Sequence, residues 1–161
     1  GVLVRCWTYI SACGPQGLKN VAETAVLNAN YIAARLKDLY EMPYFSPEEG
    51  KFCAHEFVTV PRTLLDKGVT LIDISKRMID YNVHPPTMHW PVHDCLMVEP
   101  TETESKFALD HFIDVMRKIA EEIEQDIEKV QNAPTESDIA RADEVSAARK
   151  PVIVFTQSEA N

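Results

Sequence analysis

The chain has 161 residues, 45% of them hydrophobic, and a formal net charge of −9. That length suits one domain, or one domain with an arm, and the apolar share is enough for a real core. The acidic balance offers no phosphate-neutralising surface, which argues against a nucleic-acid binder.

The four cysteines, Cys6, Cys13, Cys53 and Cys95, are widely and irregularly spaced. No pair has the spacing of a zinc ribbon, and a secreted disulfide framework is not expected. Free thiols in a reducing compartment are. No apolar run approaches the ~20 residues that span a bilayer, and no signal peptide is visible. Gly1 stands without a methionine and GVLVRCWTYI reads like the middle of an apolar helix, so the segment is expected to be cut from something longer.

In chain order, Val2, Leu3, Cys6, Ile10 and Cys13 have helical spacing, and Gly14-Pro15 should stop that helix. A second helix is expected from about Leu18 to Tyr40. Its inner stripe is Leu18, Val21, Ala25, Ala29, Ile32, Leu36 and Leu39, with small residues that permit close approach of a neighbour. Met42 to Gly50 is a loop. Lys51 to Val60 reads as a strand with apolar residues on both faces, hence central in its sheet, ended by Pro61. Thr70 to Tyr81 is a short helix, with Thr70 as N-cap and Asp73 in its first turn. Its inward face is Leu71, Ile74, Met78 and Ile79. Asn82 follows, where a left-handed residue is wanted.

Thr87 to Val92 and Cys95 to Glu99 are two strands of a hairpin turning at His93-Asp94, with Pro91 marking the first as an edge. Thr101 and Glu104 have capping-box spacing. They should open a helix of about 30 residues, ~45 Å at 1.5 Å per residue, with Leu109, Phe112, Met116, Ile119, Ile123, Ile127 and Val130 inward. Nine of the 25 acidic residues lie between Glu102 and Glu128 and are assigned to its solvated outer face. After Ala133-Pro134 the pattern weakens into an arm. The fold class is α+β: a three-stranded, mostly antiparallel sheet covered by helices in two layers.

Candidate chemistry concentrates between Asp80 and Lys106, which holds three of the five histidines. On a strand, His89 and His93 would share a face, but Pro91 intervenes and no cysteine completes a ligand set, so no metal is expected. His84 and His89 are instead candidates for contacting a ligand held by a neighbouring domain. Glu102 and Glu104 are explained by helix-start electrostatics rather than as an acid/base pair with Glu99. Arg62 is a candidate carboxylate binder, with an ordinary surface arginine as the simpler reading. No nucleophile elbow, GxGxxG or P-loop is present. No catalytic residue is expected within the segment.

Several runs together resemble one family. AVLNANYIAARL (25–36), CAHEFV (53–58), DISKRMIDYNVHPPTMHWPV (73–92), MVEPTETESK (97–106) and DEVSAARKPV (143–152) are similar, in the same order, to the C-terminal part of glycine dehydrogenase (decarboxylating), the P-protein of the glycine cleavage system. The resemblance implies the small C-terminal domain of a type I pyridoxal-phosphate (PLP) enzyme. It implies an activity in which glycine is decarboxylated and its aminomethyl group passes to the lipoyl arm of H-protein, the cofactor acting as electron sink. It further implies an upstream PLP-binding domain or subunit as partner, a homo- or hetero-oligomer, and a bacterial cytoplasm or mitochondrial matrix. No membrane or nucleic-acid partner is implied.

The family's Schiff-base lysine belongs to an upstream His-Lys segment. No His-Lys pair occurs here, so the segment alone is expected to be inactive and to bind no cofactor. Where the family commonly has Gly before the His-Pro-Pro turn, this chain has Asn82-Val83, and Asn also tolerates a positive φ. The tail from Phe155 to Asn161 carries no matching motif. On this reading 1–40 are helices leading from a cofactor domain, 41–133 the small domain and 134–161 an arm. The turn from His84 to His89 would wall the active-site cleft, with His84, Thr87 and His89 facing it. A rival reading is a stand-alone, non-catalytic interaction or regulatory module of the same fold. A third, the small domain of another type I PLP enzyme such as an aminotransferase, fits the HPPTM and EPTETESK runs less well.

Overall fold

The computed structural model describes residues 1–138 and 140–154; the unmatched tail from Phe155 to Asn161 lies outside them. Helix α1 (Val2–Leu36) joins the two expected N-terminal helices across a kink. Gly14 sits there at φ 62° and ψ 179°, values that glycine reaches without a Cβ penalty. Pro15 then restarts the helix, its fixed φ suiting a first helical turn. The Gly-Pro pair thus bends the helix rather than ending it. The helix also stops at Leu36, short of Tyr40, which is buried with its hydroxyl donating to the Met116 carbonyl at 2.8 Å. Burial raises the pKa of that phenol.

Only the C-terminal part of α1 enters the core: Ala29, Ile32, Ala33 and Leu36 are buried, Ala25 is half-buried and Ala22 is exposed. Residues 2–12 lie in the open, with Leu3 84% and Trp7 70% exposed.

The expected strand over 51–60 is much shorter. Lys51 turns back to pair with Ser46, and β1 is Phe57–Thr59, extended by a bridge between Val60 and Glu41. Strands β2 (Thr87–Met88) and β3 (Leu96–Val98) form a hairpin, both pairings being antiparallel, but the first strand ends at Met88 instead of Val92 and the 89–95 loop replaces the expected His93-Asp94 turn. The sheet order is β1-β3-β2, so the middle strand is β3 and the expectation that the first strand is central is corrected. Its two-sided burial has another cause. Phe57 faces the helices, while Val58 and Val60 pack with Cys95, Val92 and Met97 beneath the hairpin loop.

A short helix α2 (Arg62–Leu65), absent from the sequence expectation, follows Pro61 and buries Leu64. Helix α3 (Leu71–Asp80) has the expected cap, in reciprocal form. Thr70 accepts from the Asp73 amide, and the Asp73 carboxylate accepts from the Thr70 amide at 2.7 Å. Leu71, Ile74 and Met78 are buried, but Ile79 is exposed, a correction to its inward assignment.

Helix α4 (Lys106–Gln125) starts later than expected. Ser105, not Thr101, is its N-cap and accepts from the Ala108 amide, while 101–104 form a turn whose Thr101 carbonyl accepts from Asn28. Asp126 leaves helical geometry at φ −156° and caps α5 (Ile127–Gln131), so the single long helix is two. Helix α6 (Glu144–Arg149) lies in the arm, and 151–154 form no strand. No described helix is long and apolar enough to cross a membrane.

The acidic face of α4 is not wholly solvated. Glu122 is buried and takes a two-pronged bond from Arg77 of α3, Nε at 2.8 Å and Nη2 at 2.9 Å. Arg77 Nη1 also donates to Asp80 at 2.9 Å, Tyr81 donates to Glu122 at 2.6 Å, and Lys129 of α5 reaches it at 2.8 Å. Asp80 in turn accepts from the backbone amides of Thr135 and Glu136. Arg141 donates to the Ala133 carbonyl and pairs with Asp73. One cluster therefore ties α3, α4, α5 and the start of the arm.

Burial opposes the charge on Glu122, but bonds from Arg77, Lys129 and Tyr81 outweigh it and hold its pKa at about 2 instead of 4.5. Burial likewise opposes the charge on Asp80, and the amides of Glu136 and Thr135, with Arg77, bring its pKa below the ordinary value. Because both folded values are depressed, their stabilisation is present above the unfolded values and fades as pH falls. Urea midpoints should therefore drop as pH falls from 4.5 towards 2, and Glu122→Gln should flatten that drop. Arg77→Met, which removes the guanidinium shared by the Glu122 and Asp80 carboxylates, should cost about 3–5 kcal/mol at neutral pH.

Candidate functional site

The site begins where α3 ends. Asn82 takes φ 56°, and the Val83 amide reaches back to the Met78 carbonyl at 3.0 Å, so the helix closes in a left-handed cap. Pro85 and Pro86 then prevent helix and fix φ through the turn, which delivers Thr87 into pairing with Met97. Ser75 of α3 donates to the Met88 sulfur at 3.2 Å and steadies the short strand from behind.

A cleft of about 460 Å³ opens against this turn. One wall is 82–87, a second is the end of β3 from Met97 to Pro100, and the third is the first part of α4, with Ile32 of α1 also lining it. His84 and Thr87 line it, together with Glu99, Glu104 and His111. His84 and Thr87 are exposed, free to meet a ligand without prior repacking.

His89 lies elsewhere. It leaves strand geometry at φ 60° and stands beside His93, ring centroids 5.3 Å apart. The turn therefore brings two of the three candidates to one cleft and carries the third past its edge. Arg62 is engaged, its Nε donating to Glu41 at 2.8 Å, and that bond raises its pKa. Glu41 thus occupies one edge of the guanidinium.

His111 was missed by sequence reasoning. It sits next to Phe112 on the polar side of α4, where nothing in the helical pattern marks it. Its Nε2 lies 3.1 Å from the Tyr81 carbonyl. A carbonyl only accepts, so Nε2 carries the proton, and in the neutral ring Nδ1 is left as an acceptor. The chemistry thus assembled is two imidazoles, two carboxylates and a hydroxyl around an open cleft. This set can hydrogen-bond a polar ligand and exclude water from one side of it. Among the described residues lining the cleft there is no lysine and no cysteine.

Residues 21–143 match the family described as glycine dehydrogenase, C-terminal domain. The chain is 50% identical over 157 residues to the probable glycine dehydrogenase (decarboxylating) subunit 2 of Staphylococcus haemolyticus, covering 96% of this chain. It is 48% identical over 159 residues to the protein of the same name from Bacillus cereus, covering 98% of this chain. That from Halalkalibacterium halodurans is 49% identical over 157 residues. The chain spans 31% of the length of each of these relatives.

The left-handed cap sets the turn, so Asn82→Gly should be nearly neutral while Asn82→Ala should cost about 1–2 kcal/mol. His84→Ala, at an exposed position, should change stability by less than about 0.5 kcal/mol. Urea unfolding of the three variants checks both expectations.

Proposed function

The chain belongs to the glycine dehydrogenase C-terminal domain family, and from that membership we propose that it serves as the C-terminal segment of a PLP-dependent glycine decarboxylase. The parent would decarboxylate glycine and transfer the aminomethyl group to the lipoyl group of H-protein. The observation that carries the reading is identity of 48–50% across nearly the whole chain to proteins named as that dehydrogenase's subunit 2. Cofactor domain and segment would meet along the N-terminal helix, whose exposed Val2, Leu3, Val4 and Trp7 favour an apolar partner. Residues 1–40 would then be the connection, 41–133 the small domain and 134–161 the arm. The parent would be an oligomer of like or unlike subunits in a bacterial cytoplasm or a mitochondrial matrix.

The cleft residues do not fit pyridoxal phosphate by themselves. A Schiff base needs a lysine amine, which the described lining lacks, and Glu99 and Glu104 are poor neighbours for a phosphate. No chemical step is assigned to this chain. Its contribution would be a wall: His84 and Thr87 hydrogen-bond and orient what the partner domain holds, and the Pro85-Pro86 turn keeps them in register.

The chain alone should show neither PLP absorbance nor exchange of bicarbonate with the glycine carboxyl, and substantial exchange would refute the proposal. In the full-length enzyme, His84→Ala should lower turnover roughly tenfold or more, about 1.4 kcal/mol of transition-state stabilisation. Its melting temperature should stay close to that of the parent. Unchanged kinetics would remove His84 from the cleft wall.

A further inference from the structure

We propose that the 89–95 loop is a metal site, in which His89, His93 and Asp94 bind a divalent transition-metal ion of the zinc class and leave a coordination position open. The inference is independent of the glycine activity. It rests on what the loop does to three side chains that a strand would have kept apart. His89 and Asp94 take φ of 60° and 58°, so the backbone reverses twice within the loop. The His89 amide donates to the Cys95 carbonyl at 2.9 Å and closes it. The buried Cys95 thiol donates to the Trp90 carbonyl at 3.0 Å and holds its inner side. Cys95 is thereby occupied as a brace, not aimed at the donors.

The result is three donors on one exposed rim. His93 Nδ1 lies 2.9 Å from one oxygen of Asp94, and His89 Nδ1 lies 3.7 Å from the other. One donor atom from each residue can be chosen so that all three lie within 4.8 Å of one another. A tetrahedral ion with bonds of about 2.0–2.1 Å holds its donors roughly 3.3 Å apart. The two histidines are exposed and Asp94 is half-exposed, which leaves their side chains room to rotate toward that spacing. The ion would take the place of the proton on His93 Nδ1 and accept the carboxylate oxygen now facing it, with a proton released to solvent.

The donor chemistry selects the ion. Two imidazoles and one carboxylate suit zinc, copper, nickel or cobalt, whereas calcium and magnesium prefer all-oxygen sets. Three protein ligands leave the fourth position to water or to a ligand from a partner. The expectation of no metal assumed a strand with Pro91 between the histidines. In the folded chain, His89 lies just beyond β2 and the ring pair is tilted at 50°.

The test is competition for zinc between a chromogenic chelator and the full-length protein carrying this chain, with cobalt(II) as a second probe. Expected are about one equivalent of zinc held by these residues and a cobalt visible spectrum of tetrahedral intensity. His93→Ala and Asp94→Asn should each weaken that binding by about tenfold or more, and His55→Ala, outside the loop, should not. Asn keeps tolerance for the left-handed backbone at 94, and far-UV circular dichroism confirms that each variant is folded. Absence of saturable binding, or equal binding by wild type and the His93 and Asp94 variants, would overturn the proposal.

Discussion

The buried guanidinium of Arg77 is the constraint on which the rest of the chain depends. It is 3% exposed and makes bonds to Glu122, Asp80 and Tyr81 from all three of its nitrogens. A charge taken out of water is costly unless paired and fully hydrogen-bonded. Here two carboxylates answer it, and Lys129 offsets the second negative charge from the half-exposed side. The pairing is specific because a planar fork fits a carboxylate in one orientation. That orientation fixes how α3 lies on α4.

From that junction the geometry of the cleft follows. Asp80 closes α3 while its oxygens receive the amides of Thr135 and Glu136, so the helix end is pinned from two sides. Tyr81 presents its carbonyl to His111 of α4. Asn82 then turns the chain, and the Pro-Pro step passes it into the hairpin. The apolar layer does the bulk stabilisation: Ile32 and Leu36 of α1, Ile74 and Met78 of α3, and Met116 and Ile119 of α4 share one cluster. The ionic cluster adds little net stability by comparison, but it selects one arrangement of helices bordering the cleft.

Much of this was legible in the residues. The Thr70 cap, the left-handed Asn82, the antiparallel pairing of two strands after the Pro-Pro turn with the first at an edge, and the inner stripe of α4 all follow from local rules, although the first strand ends at Met88 and leaves Pro91 in the loop. Those rules depend only on a few neighbours along the chain. The misreadings have a common cause. Thr101 and Glu104 had the spacing of a capping box, but Ser105 capped instead because the Thr101 carbonyl is held by Asn28, 73 residues away in sequence. β1 read as central because both its faces are apolar, but it pairs with β3 at one end of the sheet, and its second face is buried because the hairpin loop folds under it. Glu122 read as one solvated carboxylate among nine, and only its partner across α3 sets it apart.

The candidate site divides in the same way. The sequence by itself determined the family, the α+β class, the Pro-Pro turn after His84 and the helices on either side of it. Each of these is written in short-range pattern, or in residue runs long enough to be specific. Only the tertiary structure decided that His84 and Thr87 share a cleft with His111, that Arg62 is held by Glu41, and that His89 joins His93 and Asp94. Those groupings are set by helix packing and by backbone reversals at positive φ. Neither leaves a periodic trace in the order of residues, because the partners meet through space and not along the chain.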